Sequence, residues 1–214
     1  MLFENIRKEI ADLGRVIATS GMNLGTWGNI SARCDENHIA ITPSGVAYDT
    51  MKPEDVVVVN MNCENVDGKL KPSIELPLHS EIYKAKKRIN AIVHTHSVHC
   101  TAFAVARKPI PAVCEDMVQI VGGRVEVAEY FLPGSTDLAG SAISALGNNN
   151  ACILANHGLL CAADTLKETY KVTQIVEKSA QAVILAHSLG APVELSQEDV
   201  DFMRDFYLNS YGQK

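Results

Sequence analysis

The chain has 214 residues and a formal net charge of −6, which argues against the basic surface of a nucleic-acid binder. With 47% hydrophobic and 21% charged residues it has the mixture of a soluble globular protein, and its length suffices for one full core, so residues 1–214 are read as a single domain. No apolar run is long enough to cross a bilayer, and MLFENIRKEIADLGRVIATSG mixes acids and bases through its apolar positions; the expectations are no leader, no membrane partner and a cytoplasmic location.

Phe3, Ile6, Ile10, Leu13 and Ile17 recur at helical spacing with Gly21 as a stop, predicting a helix over 3–20. NISARC (29–34) and HIAITP (38–43) are strand-like runs split by Asp35, Glu36 and Asn37, which predicts a hairpin. DVVVVN (55–60) reads as a buried strand and NVDGKL (65–70) as a turn at Asp67-Gly68. Leu78, Ile82 and Ala85 predict a helix over 75–87, in which the basic cluster KAKKR (84–88) reads as a solvated end. NAIVHTH (90–96) is a strand, and short helices follow over 98–106 and 114–122, the second stopped by Gly122-Gly123.

RVEVAEY (124–130) alternates like a strand, Ser135 or Thr136 caps a helix through Leu146, and NACILAN (150–156) is an apolar strand closed by His157-Gly158. Thr165 with Glu168 makes a capping box that opens a long helix ending near Gly190, and Ser196 caps a last helix through Phe206 and Tyr207. Strands and helices interleave with hairpins among them, so the class is α/β with a mixed or largely antiparallel sheet rather than a βαβ repeat. The six cysteines (34, 63, 100, 114, 152, 161) form no C-x-x-C pair and read as buried or incidental thiols.

The chemistry concentrates in VHTHSVHC (93–100). Alternate residues of a strand share a face, so His94 and His96 point together and suit one metal ion, while Thr95 points away. His99 is out of phase and reads as a pocket wall or helix start; His157, at the end of another apolar strand, is the better third ligand. Three histidines with an open position suit a catalytic zinc-like ion rather than a structural one. His38, His79 and His187 fit helix or hairpin surfaces. Glu75, at the start of its helix, is either a favourable first-turn charge or a proton carrier for the ion. The glycine-rich stretches GTWGNISAR (25–33) and TPSGVAY (42–48) are turns that together offer donors for a phosphate.

GTWGNIS, ITPSG, KPSIE, VHTHSVHCTA and ANHGLL, in this order and spacing, resemble the class II aldolase and adducin-head family across essentially the whole chain. The resemblance implies a three-layer α/β/α sandwich around a mostly antiparallel central sheet, assembled as a homotetramer with active sites between subunits. It implies Zn2+, or another divalent transition metal, on His94, His96 and His157 with Glu75 as fourth ligand. It further implies that Gly28, Asn29, Ser44, Gly45, Ser73 and Ile74 contact the phosphate of a sugar substrate, and that Tyr211 is a catalytic tyrosine near the C-terminus.

The implied reaction is reversible cleavage of a ketose 1-phosphate to dihydroxyacetone phosphate and an aldehyde, with Glu75 moving the proton. Two positions depart from the family's aldolases: Ile74 stands where a second serine is usual, and 110–117 has no tyrosine where one is expected. A sugar-phosphate 4-epimerase, or a decarboxylase of a phosphorylated keto acid, would use the same fold and ion. The epimerase branch has aspartate where Glu75 stands, which favours the aldolase.

Overall fold

In the computed structural model, which describes residues 1–212, eight strands form one sheet. They are β1 (Asn29–Arg33), β2 (His38–Ile41), β3 (Val57–Asn60), β4 (Asn65–Asp67), β5 (Ala91–Thr95), β6 (Val127–Ala128), β7 (Ala151–Leu154) and β8 (Gly158–Ala163). The order is β4-β3-β2-β1-β5-β8-β7-β6, and every neighbouring pair is antiparallel except β6 with β7. The helices are α1 (Glu4–Ser20), α2 (Leu76–Ala85), α3 (Val98–Ala106), α4 (Glu115–Val121), α5 (Thr136–Leu146), α6 (Leu166–Ala186) and α7 (Gln197–Asn209).

Strand alternation sorts the helices into layers. Ile39, Ile41, Val57, Val59, Ile92, Leu154 and Leu160 turn to one face and pack on Leu78 and Ile82 of α2 and Leu138 and Leu146 of α5. Their strand neighbours turn the other way. Ala40, Val58 and Val93 meet Ile10 and Ile17 of α1, while Ile153, Leu159 and Cys161 meet α3, α4 and α6 through Ala104, Ile120 and Val176. The result is the expected α/β/α sandwich, with α7 laid outside against α4 through Val200 and Val118. All six cysteines are free thiols, and Cys100, Cys152 and Cys161 are buried. Among the described residues no helix is long and apolar enough to cross a membrane.

Several elements differ from the sequence reading. The strand expected over 150–156 is followed directly by an unforeseen one: His157 sits in the turn of a hairpin whose return strand, β8, pairs with both β7 and β5. Because GLLCAA is buried throughout, it shows no alternation to read. The strand expected over 124–130 shrinks to Val127–Ala128, and Val125 instead makes an isolated bridge to Ile110. Pro53–Asp55 forms a 3-10 turn ahead of β3. The basic cluster is not merely solvated. Lys86 donates to the Gly147 carbonyl, and Arg88 donates to the Asn148 and Asn149 carbonyls and to Asn150 Oδ1, tying the loop between α5 and β7.

Candidate metal centre

The centre of the sheet carries polar side chains at one end of β1 and β5, where Asn29 pairs with His94. His94 is the penultimate residue of β5, His96 continues its alternation one residue past the strand, and His157 enters from the adjacent β7–β8 turn. That turn depends on two backbone conformations. Asn156 is left-handed (φ 56°), its Oδ1 accepting from Arg107 Nε and its N–H donating to the Ala104 carbonyl. Gly158 leaves no room for a side chain, since a Cβ there would lie 2.4 Å from the Thr95 carbonyl oxygen and 3.1 Å from the His96 ring.

The three imidazoles converge, their nearest ring nitrogens within 4.8 Å of one another. His94 Nδ1 is 2.9 Å from the Leu159 carbonyl oxygen, which only accepts, so Nδ1 carries the proton and Nε2 presents a lone pair. That lone pair faces His96 Nε2 at 3.0 Å, His157 Nε2 at 3.2 Å and Glu75 Oε2 at 3.4 Å. Glu75 Oε1 is 3.2 Å from His157 Nε2. Neutral imidazoles can answer one another only by turning an N–H inward, and Glu75 adds a negative charge. A cation shared among them satisfies all four at once, so this donor set fits a divalent transition metal.

The protonation states agree with that fit. Burial, reinforced by the neighbouring imidazole of His94, pushes His157 down to about 4, and burial likewise lowers His94 and His96. Burial pushes the Glu75 carboxyl up, but the facing imidazoles and the Asn29 amide outweigh it and hold it at about 2. At neutral pH the cluster therefore presents neutral nitrogens and one carboxylate.

Glu75 is the N-cap of α2, yet its side chain makes no cap bond. It is 4% exposed and turns inward, where Oε2 accepts from Asn29 Nδ2 at 2.7 Å. A cleft beside it is lined by Thr26, Trp27, Gly28, Ser73, Ile74 and Pro133 as well as Asn29, Glu75, His96 and His157. Thus Gly28, Asn29, Ser73 and Ile74 lie in one cleft with the candidate ligands. Ser44 and Gly45 do not line the cleft, but their loop is joined to its wall. Pro43 bridges to Pro72, Ser44 N–H donates to the Lys71 carbonyl, and Ser73 N–H donates to the Thr42 carbonyl. The N–H groups of Gly45 and Ile74 have no partner among the described residues.

Tyr211 is not brought to the cluster within one chain. Its ring stacks on Tyr207 at 5.3 Å, and Tyr207 donates to Glu168 in the first turn of α6. That turn follows Ala163, which pairs with Ala91 at the far end of β5 from His94. His99 lies in the first turn of α3, where its Nδ1 and backbone N–H meet Glu177 Oε1 at 2.7 and 3.0 Å.

Four residues escaped the sequence reading. Asn23 Oδ1 accepts from the His96 N–H, and its Nδ2, buried without a protein partner, lies where a Cβ on Gly28 would collide at 2.4 Å. Trp27, 66% exposed, stacks on His96 with ring centroids 6.0 Å apart. His79 is fully buried rather than at a helix surface. Its Nε2 faces Asn29 Oδ1, and its Nδ1 lies 2.6 Å from Ser31 Oγ, the fourth residue of the group. Polar alternation in NIS, with Asn29 and Ser31 on one face, was the available signal.

Burial holds His79 down to about 3, so the four lowered histidines give the protein one direction of acid sensitivity. Below 6.5, their ordinary value, the unfolded chain binds protons that the folded chain refuses. Below 4.5 the depressed Glu75 adds to this in the same sense. Metal-free protein is therefore expected to show a urea midpoint that falls continuously from pH 7 towards pH 4. A midpoint flat across that window would mean that the histidines are not buried as described.

The chain and its fold have counterparts among known proteins. The chain belongs to the class II aldolase and adducin N-terminal domain family, whose model matches residues 8–184. It is 35% identical over the full length of both chains to 5-deoxy-D-ribulose 1-phosphate aldolase of Bacillus thuringiensis serovar kurstaki. It is 31% identical to L-fuculose phosphate aldolase of Escherichia coli K12, over 97% of this chain and 95% of that one. A solved structure of an L-fuculose 1-phosphate aldolase superimposes with a TM-score of 0.93 at 33% identity, covering 97% of this chain and 98% of the other.

Proposed function

We propose that the protein is a metal-dependent aldolase that reversibly cleaves a ketose 1-phosphate into dihydroxyacetone phosphate and an aldehyde. The observation that carries this reading is the convergence of three imidazoles and Glu75 on one point, beside loops with uncommitted N–H groups. His94, His96 and His157 would hold the cation with Glu75, and three nitrogens with one carboxylate suit Zn2+ as well as other divalent transition metals. The bound cation supplies Lewis-acid stabilisation of the charge left on the ketone fragment when its C3–C4 bond breaks. Imidazole ligands are neutral and leave that positive charge available, whereas thiolates would cancel it.

The chain's own groups do the remaining work. Gly28, Asn29, Ser73 and the Ile74 N–H, with Ser44 and Gly45 behind them, form the phosphate cradle in this reading. Loss of a hydroxyl at Ile74 leaves its backbone donor in place. Glu75, anchored by Asn29 at the cleft, exchanges the proton of the ketone fragment. No lysine Schiff base is needed to hold the electron pair.

Tyr211 would protonate or deprotonate the aldehyde oxygen in the site of another copy, because its own lies at the opposite end of β5. In this reading the sites are completed between subunits of the tetramer that the resemblance implies. Among the relatives, the deoxyribulose and fuculose phosphate aldolases differ in the aldehyde they release, so the aldehyde is the open variable here.

The test is condensation. Metal-loaded protein, given dihydroxyacetone phosphate and a panel of short aldehydes, is expected to form ketose 1-phosphates, with acetaldehyde and lactaldehyde the first to examine. Formation of no product from any aldehyde would count against the aldolase and favour epimerase or decarboxylase chemistry.

A further inference from the structure

We infer that His79 is a positioning residue for Glu75: backed by Ser31 and Tyr83, it locks Asn29 so that Oε2 of the carboxylate is anchored and Oε1 alone exchanges the substrate's proton. The inference rests on the proton-transfer role proposed above for Glu75.

The direction of each hydrogen bond follows from the carboxylate outward. An ionised carboxylate only accepts, so Asn29 turns its Nδ2 to Glu75 Oε2, at 2.7 Å. Its Oδ1 is then committed as an acceptor and faces His79 Nε2, which must carry a proton. A neutral ring protonated at Nε2 has a lone pair at Nδ1, so Ser31 Oγ, 2.6 Å away, donates to it. Ser31 Oγ in turn accepts from the Tyr83 hydroxyl at 2.8 Å. Tyr83 is fully buried under the Arg33 guanidinium, which lies 5.0 Å from the ring centre. Tyrosine, serine, imidazole and amide therefore all donate towards Glu75.

The two carboxylate oxygens are thereby made unequal. A proton on Oε2 would oppose the Asn29 N–H. Relieving that clash needs the amide to flip, the His79 tautomer to change, and Ser31 and Tyr83 to reverse, all inside a buried network where each unmade bond is costly. A proton on Oε1 disturbs none of them. Both oxygens face imidazoles, Oε1 at 3.2 Å from His157 Nε2 and Oε2 at 3.4 Å from His94 Nε2, but only Oε2 is bonded to Asn29. In the condensation direction Oε1 takes the proton released from the ketone carbon. In cleavage the hydroxyl at the breaking bond gives up its proton, Oε1 takes up one proton from solvent and delivers it to that same carbon, and Glu75 ends ionised as it began.

Two measurements test this. Imidazole 15N NMR on metal-free protein is expected to show His79 as the Nε2–H tautomer, and the Ser31→Ala variant to show a mixture. An Nδ1–H or cationic His79 in the parent protein at pH 7 would overturn the proposal, and it can be read even if no ketose phosphate is ever cleaved. In turnover, His79→Leu is expected to lower kcat by roughly 10–100-fold, the usual cost of losing an outer partner of a metal site. KM and metal content should stay close to the parent values, since the loss falls on the proton-transfer step rather than on binding. His79→Gln, which keeps a donor near the Nε2 position, should recover most of the loss. Unchanged kcat in His79→Leu, or equal losses in both variants, would reduce His79 to a packing residue.

Discussion

Replacing His96 with alanine is expected to remove both bound metal and activity. His96 contributes one of three imidazoles whose nitrogens face one point, with its Nε2 3.0 Å from that of His94. It is the ligand least built into the core, since it lies just past β5 and is held by the Asn23 contact to its backbone N–H and the stacked Trp27 ring. The fold should therefore survive its loss. Losing an outer partner of a metal ligand costs about 10–100-fold in affinity, so losing the ligand itself should exceed ~100-fold. Metal analysis after dialysis, read beside circular dichroism to confirm folding, checks this. Retained metal at one equivalent would mean that the ligand set is wrongly assigned.

Exchanging Glu75 for glutamine is expected to separate the two functions. Glutamine preserves the side-chain length, and its amide oxygen can still accept from Asn29 Nδ2, so the three imidazoles should keep the cation with reduced affinity. What glutamine cannot do is take up and return a proton. Loss of a positioned acid–base group typically lowers turnover about 10²–10⁴-fold, and the fall should appear in kcat. Exchange of solvent deuterium into dihydroxyacetone phosphate isolates the step, because it requires only proton removal from the ketone fragment. Exchange at the parent rate in Glu75→Gln would take Glu75 out of the proton transfer.

Much of the centre was legible because its signals are local. The H-x-H pair follows directly from strand alternation, and the polarity of α1 and the cap of α6 mark those helices. What stayed hidden depends on partners distant in sequence. In α2 the residues Leu76, His79, Ser80 and Tyr83 form a buried face beside the one marked by Leu78 and Ile82. A histidine there is tolerable only because Asn29 and Ser31, about 50 positions away, offer it hydrogen bonds. Residues 158–163 lack alternation because helices cover both faces, so the strand that carries His157 into place could not be separated from a buried coil. Tyr211 matched a motif position, yet the ring stacks on Tyr207 at the other end of the sheet, and sequence spacing carries no information about where a tail lies relative to the sheet.

In the proposed mechanism, a cation held by His94, His96, His157 and Glu75 makes carbon–carbon cleavage possible. The most direct measurement is the rate of ketose 1-phosphate cleavage by protein stripped with a chelator, then titrated with Zn2+ or another divalent transition metal. The predicted result is negligible cleavage by the stripped protein and recovery that saturates at one ion per chain. Undiminished cleavage with every ion removed would contradict it.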